Sequence, residues 1–239
     1  MLLIDAGNSR CKWARVGQGA FTHSGAVNNC EWALLQQSFA ALPPPSRIIV
    51  SNVAGAQVAQ ELRMLCGHWK VSVEFVAAVR EQCGVRNRYD GPGSLGSDRW
   101  SALLAAWRRM RKACLVVNCG TATTVDALSD EGEFLGGLIV PGITLMRQSL
   151  LQGTAQLRDE SGHVQDFPRN SQDAIHSGVL RATLGAIQFQ YGLLLAQGDA
   201  GCVLSGGAAN QILEHLGMPL VYADNLVLEG LQIIGETKV

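Results

Sequence analysis

Met1-Leu2-Leu3-Ile4-Asp5-Ala6-Gly7-Asn8-Ser9-Arg10-Cys11-Lys12 opens the chain and decides its fold class. Leu2 to Ile4 is a short apolar run of the kind that forms a buried strand, and the acid, glycine and small polar residues behind it end that strand in a sharp turn. Gly7 lets the backbone approach another group closely, Asn8 and Ser9 bring hydrogen-bonding atoms, and Lys12 adds a fixed positive charge. Such a stretch reads either as a plain β-turn or as the start of an anion-binding loop, with Asp5 able to hold a metal ion through water.

The pattern returns near the middle. Leu115-Val116-Val117-Asn118-Cys119-Gly120-Thr121-Ala122-Thr123-Thr124-Val125-Asp126 is again an apolar strand, a polar residue, a glycine two positions on, a hydroxyl and a second β-branched strand. Asp5 and Gly7 align with Asn118 and Gly120. Two such units imply a duplicated α/β domain with a ligand held between the copies, and we expect domains at 1–112 and 113–239. A third strand and glycine turn follows at Cys202 to Asn210. Facing glycine turns suit a nucleoside triphosphate.

The 239 residues and 47% hydrophobic content suffice for two cores. No stretch reaches the roughly 18 apolar residues of a membrane span, and the first residues enter a strand without a basic leader, which reads as cytoplasmic. Seven cysteines without a C-x-x-C pattern indicate neither a disulfide framework nor a zinc site. The formal charge of −1 gives no general attraction to nucleic acid or an anionic membrane, so a small metabolite is the expected partner.

The first half reads as strands at about 2–6 and 11–16, a helix from Asn29 to Leu42 capped by Asn29, a strand from Arg47 to Ser51, a helix from Ala56 to Cys66 and a strand from Val71 to Val76. Tyr89-Asp90-Gly91-Pro92-Gly93-Ser94-Leu95-Gly96-Ser97-Asp98-Arg99-Trp100 then forms an irregular loop that delivers Ser97 and Asp98 to a helix N-terminus. Asp98 is there either as a cap or as a reactive acid. Arg108, Arg109, Arg111 and Lys112 at the far end of that helix suit its dipole, and no aromatic interleaving argues for nucleic acid. Beyond them we expect a strand over 133–142 with a glycine pair, a helix from Ile143, a mobile stretch from Thr154 to Arg169, and a long helix from Gln172 to Gln197 capped by Asn170 or Ser171. Its small residues suit a core or dimer interface. A last helix runs from Leu226 to Ile234.

Three ordered motifs, the Asp-x-Gly-Asn-Ser start with Lys12, the Tyr-x-Gly-Pro-Gly-x-Leu-Gly-x-Asp-Arg loop at 89–99 and the Asn-Cys-Gly-Thr-Ala turn at 118–122, together resemble the type III pantothenate kinases, relatives of actin, sugar kinases and heat-shock chaperone ATPases. The resemblance implies two tandem ribonuclease H-like domains in an actin-like fold with the active site in the cleft between them, a homodimer, and ATP-dependent phosphorylation of pantothenate. It further implies that Asp5, Ala6, Gly7, Asn8, Ser9, Arg10, Cys11 and Lys12 form the first phosphate loop, with Asp5 holding Mg2+ through water, and that Thr121 meets the phosphates from the other side. Tyr89, Gly96, Ser97, Asp98 and Arg99 match the substrate-contacting motif, with Asp98 at the general base. Ser171 matches a substrate contact made across the dimer. Asn118 stands where many members have an Asp that binds K+ or NH4+, so the monovalent cation is in question for this chain.

Overall fold

The computed structural model describes residues 1–29, 31–153 and 162–237. In chain order its elements are β1 (Leu2–Ala6), β2 (Arg10–Gly17), β3 (Ala20–Asn28), α1 (Trp32–Ala40), β4 (Ile48–Asn52), α2 (Ala56–Cys66), β5 (Val73–Phe75), β6 (Glu81–Gln82), β7 (Val85–Asn87) and α3 (Ser97–Met110). There follow β8 (Cys114–Cys119), β9 (Ala122–Leu128), β10 (Glu133–Pro141), α4 (Ile143–Gly153), α5 (Ser171–Leu195), β11 (Gly201–Ser205), β12 (Leu220–Ala223) and α6 (Leu226–Glu236). Much of the stretch expected to be mobile, 154–161, lies outside the described residues.

The chain divides into two compact units, Met1–Arg109 with Asn225–Val239, and Met110–Asp224. In the first unit the strands run in the order β3-β2-β1-β4-β5. β1 pairs antiparallel with β2 and parallel with β4, which sets Asp5 opposite Lys12 and beside Ser51. Both faces of the sheet are covered, so β1 and β4 are apolar almost without a break rather than alternating. Leu2, Ile4, Ile48 and Val50 pack with Leu35, Phe39, Leu62 and Cys66 of α1 and α2. On the other face Leu3, Val16 and Ile49 pack with Leu228 and Leu231 of α6.

In the second unit the same order recurs, β10-β9-β8-β11-β12. β8 pairs antiparallel with β9 and parallel with β11, setting Asn118 opposite Thr124 and beside Ser205. Asn118 therefore has the neighbours in its sheet that Asp5 has in the first, down to a serine on the parallel strand. Leu115, Val117, Val125, Cys202 and Leu204 form a core with Leu180, Ile187 and Leu194 of α5.

Several expectations are corrected. The last helix, α6, belongs with the first unit, not the second, and the chain first crosses between units after Arg109 instead of 112. Gly230 explains part of this: a Cβ there would collide with the Ser101 backbone, so glycine lets α6 lie directly against α3. Arg109 binds Glu229 with both its Nε and Nη2, at 2.7 Å each, and Arg108 reaches Glu236 at 3.2 Å, so the basic end of α3 is paired with α6. Asn29 is not a helix cap: α1 starts at Trp32 behind Glu31, and the Asn29 side chain points elsewhere. β3 and the β6–β7 hairpin were not expected, and the strand predicted from Val71 to Val76 is only Val73–Phe75.

Candidate functional site

In the first unit the polar residues gather where β1 and β4 end. The β1–β2 turn is closed by Gly7 N–H donating to Arg10 O at 3.1 Å, and Asn8, Ser9 and Arg10 are exposed on it. Side-chain alternation along the strands divides the segment expected to bind phosphate. Asp5 and Lys12 share one side, whereas Ala6 and Cys11 are 0% and 1% exposed in the core. Burial pushes the Cys11 thiol up to about 12, so these two residues can offer only backbone.

Asp5 has a carboxyl strongly perturbed by its surroundings. Burial first, then the negative charge of Asp98, pushes its carboxyl up from 3.8 to about 7, while Lys12 pulls it down. A cation beside Asp5 would relieve both the desolvation and the repulsion. Among the described residues no cluster of three or more His, Cys, Asp or Glu could cage a metal; a single perturbed carboxylate suits a hydrated divalent cation met through water.

Asp98 stands in the first turn of α3, and four hydrogen bonds hold that turn. The hydroxyls of Ser97 and Ser51 share a buried hydrogen bond of 2.9 Å, and Ser101 Oγ donates to Ser97 O at 2.8 Å. Trp100 N–H donates to Gly96 O at 2.9 Å. Asp98 Oδ1 accepts the Arg99 N–H at 2.8 Å, which satisfies one of the helix's orphan donors. The Ser97 hydroxyl is directed to Ser51. Gly96 is required for the local geometry, because a Cβ there would stand 2.6 Å from Asp98 Oδ1.

Arg99 is only 6% exposed, donates from Nη1 to the Tyr89 hydroxyl at 3.1 Å, and has its guanidinium carbon 5.7 Å from the Tyr89 ring centre. The loop that carries Tyr89 is held from beneath. Arg80 donates to the carbonyls of Asn87, Tyr89 and Asp90, and buried Asn87 donates to Pro92 O and accepts Tyr89 N–H. Asp5, Lys12, Tyr89, Gly96, Asp98 and Arg99 thus all belong to the first unit.

In the second unit two glycine turns sit at the carboxyl ends of the adjacent parallel strands β8 and β11, the end at which open α/β sheets bind ligands. Gly120 N–H donates to Ala122 O at 3.0 Å, and exposed Thr121 accepts Gly142 N–H on its carbonyl at 2.9 Å. Gly206 has φ +102° and lies against the Cys119 backbone, where any side chain would collide. Ala208 N–H then donates to Cys119 O at 3.0 Å, joining the two turns. Asn118, Thr124, Ser205 and the buried Asp126 lie on one face of this sheet. Ser171 is the exposed first residue of α5, whose cap is Asn170, accepting Asp173 N–H at 2.8 Å. A cavity of about 460 Å³ lies within the unit between α4 and α5, lined by Thr144, Arg147, His176 and apolar residues including Ile143 and Val179.

Sequence reasoning missed Ser51, Ser205, Asn29 and Arg80. A signal existed for the two serines: Ile48-Ile49-Val50-Ser51 and Cys202-Val203-Leu204-Ser205 each end an apolar strand in a buried hydroxyl.

Duplicated sheets in this order, each ending in glycine turns, define a two-unit α/β protein of the actin-like fold class. A solved putative 2-dehydro-3-deoxygalactonokinase from Sinorhizobium meliloti matches with TM-score 0.59 at 15% identity over 98% of this chain and 95% of that one. A putative Baf family transcriptional activator from Campylobacter jejuni matches with TM-score 0.63 at 22% identity, over 99% and 98%. Both likenesses establish the fold alone. The profile of the type III pantothenate kinases matches residues 1–192. Proteins bearing that name from Nitrosospira multiformis and Aromatoleum aromaticum are 44% and 46% identical over 98% of this chain, covering 90% and 97% of their own lengths. The chain belongs to the type III pantothenate kinase family.

Proposed function

We propose that the chain transfers the γ-phosphoryl group of ATP to pantothenate, giving 4'-phosphopantothenate at the entry to coenzyme A synthesis. The observation that carries the reading is that Asp98 belongs to one unit with Asp5, whose carboxyl its charge raises, and is followed directly by Arg99, paired to Tyr89. Phosphoryl transfer needs little covalent help beyond positioning, charge neutralisation and acceptance of the alcohol's proton. In this reading Asp98 takes that proton as the substrate oxygen bonds to phosphorus and ADP leaves. Arg99, paired and nearly buried, binds an anionic oxygen of the substrate with a geometry lysine does not reproduce.

Mg2+ supplies charge neutralisation at the phosphates, with Asp5 as its protein partner through water. The exposed turn residues and Lys12 act on the phosphates, and Thr121 is a further phosphate contact. Asn118, an amide where relatives carry an acid, weakens or removes the site for K+ or NH4+. The working form is a homodimer in the cytoplasm. Ala174, Gly178, Ala182 and Gly185 form an exposed small-residue face on α5 beside Phe189, which is 69% exposed, and a second copy of that helix would cover it. Ser171 then serves the neighbouring subunit's substrate.

A coupled assay of ADP release with pantothenate, a panel of sugars and short carboxylic acids tests the reading. Pantothenate alone should support turnover, and preference for a sugar or an acid would overturn it.

A further inference from the structure

We infer that Asn29, which no sequence motif includes, is a positioning residue for the nucleotide-binding turn at 7–9. All three carbonyls of that turn accept from this one residue. Asn29 N–H donates to Ser9 O at 2.8 Å, and its Nδ2 donates to Gly7 O at 2.9 Å and to Asn8 O at 2.7 Å. The contact continues the β2–β3 pairing by one residue, because Asn28 lies opposite Arg10 and Asn29 therefore reaches the turn that joins β1 to β2.

The chemistry gives this arrangement a purpose. A turn that binds phosphate must offer N–H dipoles to the anion and keep its carbonyl oxygens away from it. With the carbonyls of Gly7, Asn8 and Ser9 drawn onto Asn29, the opposite side of the turn presents the donor ends of its peptides. Asn8 and Ser9 are exposed, and the Gly7–Arg10 bond closes the turn at its base.

The orientation of the Asn29 amide follows from its partners. Exchanging Nδ2 and Oδ1 would press an oxygen against two carbonyl oxygens at hydrogen-bond distance, so the donor must face the turn. The cost is visible on the other side, where Asn29 Oδ1 is buried without a hydrogen-bond partner among the described residues. An acceptor is left unsatisfied so that two donors can reach the turn.

The inference rests on reading residues 5–12 as a phosphate loop. Titration calorimetry with Mg2+ and a non-hydrolysable ATP analogue on wild type, Asn29→Ala and Asn29→Asp tests it, together with KM for pantothenate and thermal midpoints. Asn29→Ala should weaken nucleotide binding about 10-fold, the scale of losing two ordinary hydrogen bonds with part of their effect recovered by water. Asn29→Asp, equal in volume but carrying a charge repelled by the carbonyls, should weaken it further. KM for pantothenate should stay within about twofold, since the 80–99 loop is held by other bonds. Nucleotide affinity unchanged in Asn29→Ala, an Asp variant equal to wild type, or equal losses for both substrates would overturn the inference. A wild type that binds no nucleotide would instead remove the phosphate-loop reading beneath it.

Discussion

The charge of Asp98 reaches Asp5: after burial, it is the largest cause of the rise of the Asp5 carboxyl to about 7. Two acids come from distant parts of the chain to the ends of β1 and α3, and the charge of Asp98 opposes the ionisation of Asp5, an opposition that a divalent cation would relieve.

A pH-dependent stability follows. The folded pKa of Asp5, near 7, is above its ordinary value of 3.8, so the folded protein holds the proton more tightly across that window. The stability this group contributes is complete below about pH 4 and lost as pH rises through about 7. Asp5→Asn should therefore raise the thermal midpoint at pH 8 by about 3 °C, with little effect at pH 4, while reducing turnover at least ~100-fold. Midpoint differences that do not vary with pH would show that ionised Asp5 is tolerated without cost.

Gly96→Ala should act chiefly through Asp98. The added Cβ would stand 2.6 Å from Asp98 Oδ1, forcing the carboxylate off the Arg99 N–H. We expect kcat to fall by about 10- to 100-fold, as for a misplaced catalytic group, with nucleotide affinity changed less than about twofold. Equal loss of kcat and nucleotide binding in steady-state kinetics would contradict this.

Tyr89→Phe removes only the hydroxyl that accepts from Arg99 Nη1 at 3.1 Å. Losing one hydrogen bond to a charged donor should raise KM for pantothenate by about 10-fold and leave KM for ATP unchanged. A change confined to ATP would assign Arg99 to the nucleotide.

Asn118→Asp introduces the acid that the family resemblance implies at this position. Wild type should retain a substantial fraction of its activity in sodium or Tris buffer, and the variant should depend more strongly on K+ or NH4+. Wild-type activity that vanishes without those ions would show that oxygen ligands other than a carboxylate at 118 hold the cation.

The fold was legible because its deciding feature is local and occurs twice. Asp5-x-Gly7 and Asn118-x-Gly120 each end an apolar strand, and the two sheets share one strand order around those strands. β3 escaped because its residues are mostly exposed and polar, with no apolar run to mark them. The allegiance of α6 could not be read, since an apolar helix does not carry the identity of the sheet it covers; that is decided by Gly230 against Ser101 and Arg109 against Glu229. Asn29 was misread for a related reason. Asparagine at the foot of a helix and asparagine reaching to another turn look alike in sequence, and here the distant partner is present. Asp98 was legible as an acid at a helix start, but the Ser51–Ser97 bond that seats the helix joins residues far apart in the chain.

Replacing Asp98 by Asn tests the assignment of the general base most directly. Asp98→Asn keeps the shape and leaves an oxygen to accept the Arg99 N–H, so fold and ATP binding should persist while kcat falls by about 10²- to 10⁴-fold. Rapid-quench turnover beside calorimetric ATP binding reads both at once. Turnover within a few-fold of wild type would contradict the assignment and leave Asp98 a residue that merely satisfies the first turn of α3.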